Sequence, residues 1–348
     1  MNILYGVPGE GMGHATRSKV VIDFLIKEHN VQIVSSSRAF QFLDKNFPGS
    51  VHEIKGFHLA YKNARVSKGG TFMLNLKSAA ANILHNFSSY LLMHKRFIPD
   101  LVISDFESFA YVFAKQHRIP VISIDNMQVM NRCKLTINIP KSEKENYSLA
   151  KAIVKSKLPG CGHYYVSSFF DAGVVKKDTT LVPPIIRDVV LNAKTSSSNH
   201  ILVYQTSVSL ITISGVLQQF PNLTFFVYGF GKDEVHDNVI FKSFSETGFV
   251  NDLASSRAVI ANGGYSFISE AVYLQKPVYS FPIKNQFEQF VNAAYIDKCG
   301  YGRHFEDLTA DNLKAFLYDY EVFKKNLLSY KQDGNKILFS LLEKAFRS

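Results

Sequence analysis

Cysteine is scarce in this chain: only Cys133, Cys161 and Cys299 occur, far apart and without a C-x-x-C pair. That excludes a disulfide framework and a zinc site of the usual spacing, and it fits a reducing cytoplasm. Runs of five or more Arg and Lys are missing, as are an aromatic RNP-type strand and zinc-finger spacing. The formal net charge of +10 therefore does not point to nucleic acid, although it suits a polyanionic partner or an anionic membrane surface. The opening MNILYGVPGEGMGHATRS has a short apolar stretch that ends in glycines and lacks a basic leader, so no signal peptide is expected. Between Ile201 and Gly231 there is no Asp, Glu, Lys or Arg, a stretch long enough to span a bilayer. Gln205, Gln218, Gln219, Pro221 and Asn222 interrupt it and would need partners in lipid, so it reads as strand, loop, helix and strand.

What is present is a globular composition, 46% apolar and 20% charged over 348 residues. That length exceeds what one hydrophobic core usually serves, so two domains are expected. Short apolar runs alternate with helical periods. The first series of strands is Asn2 to Val7, Val31 to Ser35, Val51 to Phe57, Leu101 to Ser104 and Val121 to Ile124. The second is Ile201 to Tyr204, Thr224 to Tyr228, Asn238 to Phe241, Ala258 to Ala261 and Pro277 to Ser280. This βαβ rhythm predicts an α/β protein with two parallel sheets covered by helices. LVPPIIRD and the polar TSSSN mark the boundary. The expected division is 1–183, a linker 184–199, a second domain 200–330, and a terminal helix 331–348 that crosses back to the first domain.

In the first half, a strand runs into Gly9-Glu10-Gly11-Met12-Gly13-His14 and then a helix. Glycines admit close backbone approach and a helix N-terminus favours anionic charge. A dinucleotide fingerprint would need a third glycine where Thr16 stands, and the second strand ends in Ser35-Ser36-Ser37-Arg38, which suits an NADP 2′-phosphate better than NAD. The competing reading makes His14 a base, freed by the glycine turn, and Asp105 its orienter at the carboxyl end of the strand LVIS. The plain alternative has His14 capping its helix and Asp105 capping the helix that starts near Glu107.

The second half carries more. Asn262-Gly263-Gly264-Tyr265 lies between a strand and a helix, where backbone donors and a positive dipole end suit a diphosphate. Glu270 lies six residues past Gly264, where a carboxylate can accept hydrogen bonds from vicinal ribose hydroxyls. Glu288 precedes Gln289, and Gln289 and Asn292 share a helix face and offer amides to sugar hydroxyls.

The order Gly263-Gly264, Glu270-Ala271, Pro277, Pro282, Gln289, Asn292-Ala293 resembles the donor signature G-G-x5-E-A, P, P, Q-x-x-N-A of GT-B glycosyltransferases of families 1 and 28. Those families include the lipid-linked N-acetylglucosaminyltransferase of peptidoglycan synthesis. The opening GEGMGHATRS also resembles a little-characterised bacterial and archaeal branch of the same fold. The resemblance implies two Rossmann-like domains facing across a cleft, acceptor-side first and donor-side second. It implies inverting transfer from a nucleotide sugar, with UDP as the expected carrier. His14 would deprotonate the acceptor hydroxyl and Asp105 would orient it, while Phe244 and Ser245 would lie against the donor base. Gly13, Thr206 and Tyr265 complete the expected donor set. Many family 1 members have His where Asn262 stands here. No two aspartates stand two apart, so the D-x-D metal ligand of the other large glycosyltransferase fold is missing. No metal or cofactor is expected, and the leaving group would rely on the helix dipole and donors such as Lys284.

The stretch from Tyr61 to Phe97 is basic and apolar together, with Lys62, Arg65, Lys68, Lys77, Lys95 and Arg96 among Phe72, Leu74, Ile83, Phe87 and Leu91. It reads either as an interfacial surface for a peripheral enzyme with a lipid-linked or envelope glycan acceptor, or as a packed helix with snorkelling lysines. Three other readings stay open alongside transfer: a nucleotide-sugar 2-epimerase, a non-catalytic nucleotide-sugar binder and an NADP-linked reductase.

Overall fold

A computed structural model of the chain describes all residues except Glu10, 57–60, 63–64, 67–96, 206–209 and Ser348. At 61–62, 65–66 and 210–211 it describes the backbone alone. The chain divides into two compact units. The first is Met1–Thr136, Lys144–Ile185 and Asn335–Ser348; the second is Ile137–Glu143 and Ile186–Gly334.

Strands of the first unit are β1 (Asn2–Gly6), β2 (Asn30–Ser35), β3 (Val51–Glu53), β4 (Leu101–Ser104), β5 (Val121–Asp125), β6 (His163–Ser167) and β7 (Thr179–Val182). They pair in parallel in the order β7-β6-β5-β4-β1-β2-β3. β1 and β4 are buried on both faces along almost their whole length, as a parallel sheet covered by helices requires. Gly6 stands in register with Ser104, so the chain leaves β1 and β4 side by side. The order reverses between those two strands, and ligands of open α/β sheets bind at such a switch point.

The second unit repeats the plan. Its strands are β8 (His200–Tyr204), β9 (Thr224–Tyr228), β10 (Glu234–His236), β11 (Val239–Phe241), β12 (Ala258–Ala261), β13 (Val278–Ser280) and β14 (Gly302–His304). They run in the order β10-β11-β9-β8-β12-β13-β14, parallel except for the edge strand β10. Here the switch lies between β8 and β12. The charge-free stretch is strand, helix Leu210–Leu217 and strand. Among the described residues no helix is long and apolar enough to cross a membrane.

Within the two seven-stranded sheets, β6, β7, β10 and β14 escape the apolar-run reading. Each belongs to the outer part of its sheet, where sequences such as TTLV, EVH and GRH need little apolar content. The strand expected from Val51 to Phe57 stops at Glu53, and Phe57 lies outside the described residues. The chain ends in three helices, Ala310–Tyr318, Tyr320–Leu327 and Lys336–Arg347, the last of them within the expected terminal helix 331–348. Gly334 and Asn335, both at positive φ, turn the chain before the last of these.

That last helix, Lys336–Arg347, belongs to the first unit. It places Leu338, Leu341, Leu342 and Ala345 on one face, the i, i+3, i+4, i+7 pattern of a helix with one buried stripe. The stripe packs on a core containing Ile3, Tyr5, Val21 and Leu25, and Phe339 stacks on Phe24 at 4.2 Å between ring centroids. Leu342 is fully buried. Leu342→Ala is expected to cost ~2–5 kcal/mol, read as a lower denaturation midpoint; a change below about 0.5 kcal/mol, the scale of surface substitutions, would contradict this packing.

Candidate functional site

The first helix, α1 (Met12–Leu25), starts from Gly11, whose φ of 80° suits glycine, and no side chain caps it. His14 is thus not a cap. Its neighbours at i+3 and i+4, Arg17 and Ser18, are buried on the same helical face. All three reach Asp105, which leaves β4 with its backbone N-H donating to the Gly6 carbonyl at 2.9 Å. Arg17 Nε donates to Asp105 Oδ2 at 2.9 Å and Nη2 to Oδ1 at 2.5 Å, the side-on fork. Ser18 Oγ donates to Oδ2 at 3.0 Å, and His14 Nδ1 lies 3.0 Å from Oδ1. Arg17 Nη1 also donates to Asn126 Oδ1 at 2.5 Å, tying in the end of β5.

Asp105 does not cap the next helix. Glu107 does, accepting from the backbone N-H groups of Phe109 at 2.8 Å and Ala110 at 2.7 Å. Asp105 is therefore free for the histidine and arginine. Burial works against its charge, but the Arg17 guanidinium and then His14 outweigh that and hold its pKa well below the usual carboxylate range. Removing one partner of such a buried pair costs on the order of 3–5 kcal/mol.

Nδ1 of His14 sits 2.7 Å from Arg17 Nη2 as well as 3.0 Å from Asp105 Oδ1. A guanidinium can only donate, so these two neighbours favour opposite tautomers. A proton on Nδ1 donates to the carboxylate and leaves the Nε2 lone pair as a base. A proton on Nε2 leaves Nδ1 to accept from Arg17 and removes that base. His14 is about one-sixth exposed, enough for Nε2 chemistry.

A second carboxylate lies behind the first. Asp125, at the end of β5, accepts from Ser123 Oγ at 2.7 Å and from the Gln128 backbone at 2.8 Å. Burial chiefly, and also the charge on Asp105, push its pKa up to about 6.

In the second unit, α2 (Tyr265–Tyr273) starts directly after β12 from Gly264. Gly263 has φ +97°, and a Cβ there would come within 2.8 Å of the Gln289 carbonyl. Only glycine fits, because α3 (Phe287–Lys298) packs onto the turn. Among the described residues, a Cβ on Gly264 would meet nothing within 4 Å, so they leave the approach to this helix N-terminus open. Asn292 is buried and donates through Nδ2 to the Gly263 carbonyl at 2.9 Å. Asn262 is buried with Nδ2 on the Phe281 carbonyl at 3.2 Å. Gln289 Oε1 accepts from the Ile283 N-H at 2.9 Å. The amides of Gln289 and Asn292, expected to offer hydrogen bonds to sugar hydroxyls, bond here to the Ile283 N-H and the Gly263 carbonyl.

Glu270 is buried on α2 and paired side-on with Arg187, whose Nε lies 2.6 Å from Oε1 and whose Nη2 lies 2.8 Å from Oε2. Tyr265 is buried, Glu288 is half-buried, and Phe244 is exposed. Ser245 caps the helix Glu246–Ser255, accepting from the Gly248 N-H at 3.1 Å. Gly13 is half-buried in the first turn of α1, in the other unit from the rest of the expected donor set. Thr206 lies outside the described residues, and so does most of the basic apolar stretch 61–97. Among the described residues no three His, Cys, Asp or Glu side chains group as metal ligands do.

Two parallel sheets of this kind, each covered by helices, are the architecture of GT-B glycosyltransferases. The chain belongs to glycosyl transferase family 1, whose sequence pattern matches residues 1–320. It is 24% identical over 395 residues to an uncharacterized glycosyltransferase of Methanosarcina acetivorans, covering 99% of this chain and 98% of that one. In fold it is similar to Phytolacca americana UGT2 complexed with UDP-2fluoro-glucose and pterostilbene, at TM-score 0.67 and 13% identity over 99% of this chain and 98% of the other. It is also similar to the spinosyn rhamnosyltransferase SpnG complexed with thymidine diphosphate, at TM-score 0.61 and 15% identity over the full length of both. The NADP-linked reductase falls away with that family.

Arg17, Ser18 and Arg187 were not among the residues read from sequence as functional. The i+3 and i+4 spacing of Arg17 and Ser18 from His14, which puts all three on one helix face, is the available signal. Arg187 gave none, since its partner lies 83 residues away.

Asp125 supplies a pH test. Its folded pKa of about 6 exceeds the ordinary 3.8, so the folded state binds the extra proton between those values. Its penalty is absent below about pH 4 and complete above about pH 6. At ~1.4 kcal/mol per pKa unit, Asp125→Asn is expected to stabilise the protein by roughly 3 kcal/mol at pH 8 and to lose that advantage at pH 4. Thermal unfolding across this range checks it, and an advantage that does not change with pH would count against the assignment.

Proposed function

We propose that this glycosyltransferase is inverting and metal-independent, and that it moves a sugar from a nucleotide-sugar donor, a UDP-sugar first, to a hydroxyl of an envelope or lipid-linked glycan. The observation that carries the reading is Gly264 at the open N-terminus of α2 with Glu270 buried six residues along the same helix. The helix end offers backbone N-H groups and the positive dipole end to a diphosphate, and the carboxylate offers acceptors to a ribose diol. Charge that develops on the departing diphosphate is then met by fixed dipoles, with the exposed Lys284 as a further cation.

In the reaction, the acceptor oxygen attacks the anomeric carbon from the face opposite the nucleotide. The new C-O bond forms as the bond from that carbon to the phosphate oxygen breaks, and the nucleoside diphosphate leaves with the bonding electrons. His14 Nε2 takes the acceptor proton. Asp105, its charge secured by Arg17, holds Nδ1-H and stabilises the imidazolium that results. Support for the acceptor class is compositional: the basic, apolar stretch 61–97 suits a peripheral enzyme at an anionic lipid surface on the cytoplasmic side.

Calorimetric titration of UDP-, GDP-, dTDP- and CMP-sugars against wild type, Glu270→Ala and His14→Ala tests the division of labour. One donor class is expected to bind, about tenfold or more weakly in Glu270→Ala and nearly unchanged in His14→Ala, which should lose transfer. Binding equally weakened by both substitutions, or by neither, would contradict it.

A further inference from the structure

Phe106 directly follows Asp105 and stands at φ +60°, in the left-handed region that a bulky side chain rarely adopts. Two demands on the backbone meet at this residue. Asp105 turns its carboxylate back to α1, while Glu107 turns its own forward to cap the helix Ser108–His117. Strain of this kind persists only where the surroundings hold the turn. Asp105 is held by its N-H on the Gly6 carbonyl at 2.9 Å. Glu107 is held by Ser104 Oγ, which accepts from its N-H at 2.8 Å and donates to its carbonyl at 2.7 Å.

Phe106 itself has one hydrogen-bond partner among the described residues. Lys157, the last residue of the helix Lys144–Lys157, donates through Nζ to the Phe106 carbonyl at 3.0 Å. The same ammonium lies 4.2 Å from the centroid of the Phe106 ring, so it grips the strained residue at both backbone and side chain. Burial works against the charge on Lys157 and lowers its pKa, opposed by the carboxylates of Glu107, Asp125 and Asp105.

The position of Asp105 Oδ1 decides the tautomer of His14. Nδ1 has Oδ1 at 3.0 Å and Arg17 Nη2 at 2.7 Å, and of the two only the carboxylate can accept from a protonated Nδ1. Arg17 is tied to Asn126 as well as to Asp105, so it is not carried along by the carboxylate alone. Relaxation of the Phe106 turn would draw Oδ1 away and leave the guanidinium as the neighbour of Nδ1. The proton would then move to Nε2, and the base would be lost.

We propose that Lys157 is a positioning residue for His14 and Asp105: by holding the carbonyl and the ring of Phe106 it keeps the strained turn in place, and with it Oδ1 on Nδ1-H. This rests on the reading of His14 as the base. Because Lys157 acts through Phe106, Phe106→Gly, which allows positive φ without strain, should make the lysine dispensable. A lysine that served stability alone would leave the tautomer unchanged.

The test is heteronuclear NMR of the full chain, isotopically labelled at the histidine nitrogens and held in alkaline buffer, with the His14 signals identified by their loss in His14→Gln. Wild type is expected to favour Nδ1-H over Nε2-H by about tenfold or more. Lys157→Met should lower that ratio by about fivefold or more, and the same substitution combined with Phe106→Gly should return it to within about twofold of wild type. Lys157→Gln, expected to behave as Lys157→Met, serves if the Met variant does not fold. A ratio unchanged by loss of the lysine, or a loss that Phe106→Gly does not reverse, overturns the role of Lys157 and leaves the reading of His14 standing. Nε2-H as the main form in wild type overturns that reading, and the proposal with it.

Discussion

Parallel strands send all their carboxyl ends to one edge of a sheet, and where the strand order reverses the loops at that edge must part. This constraint places the candidate site of each unit. In the first, the reversal between β1 and β4 sets the glycine turn beside Asp105. In the second, the reversal between β8 and β12 sets Asn262, Gly263 and Gly264 at the corresponding position. The helices that follow start at these points, so their positive ends face the crevices that the topology opens.

Both units then meet the same electrostatic problem with the same device. Each unit buries a carboxylate close to its glycine turn and pairs it with a guanidinium. Arg17 forks onto Asp105 and Arg187 forks onto Glu270, each from a segment remote in sequence. A lysine could supply the charge but not the planar fork that fixes a carboxylate. The cost of burying these ions is offset by complete hydrogen bonding: Asp105 accepts from Arg17 and Ser18 and has His14 Nδ1 within reach. Asp125 accepts from Ser123 and the Gln128 backbone N-H, Arg17 offsets its burial only in part, and its pKa rises instead.

Local patterns in the chain expressed much of this. Alternating apolar runs gave the central strands, because strands buried on both faces must be apolar. The Gly263-Gly264 turn and Glu270 were legible because their spacing lies within one strand-turn-helix unit, and His14 because glycines surround it. Asp105 was visible only as an acidic residue at a strand end. Its partners were not, because Arg17 and Asp105 are 88 residues apart and nothing local marks that contact. Asn292 reads from sequence as a ligand group, and the structure adds that its Nδ2 donates to the Gly263 carbonyl; sequence spacing gives a shared helix face but not the direction of the neighbouring loop. The outer strands were missed for a related reason, since edges need few apolar residues.

The central claim is that the donor lies on the second unit, with its diphosphate on the N-terminus of α2 and its ribose on Glu270. A crystal structure of the protein with the nucleotide diphosphate it binds most tightly tests this most directly. The account predicts phosphate oxygens within hydrogen-bonding distance of the backbone N-H groups that follow Gly264, and ribose hydroxyls on Glu270. A nucleotide seated on the glycine turn of the first unit, or a ribose turned away from Glu270, would contradict it.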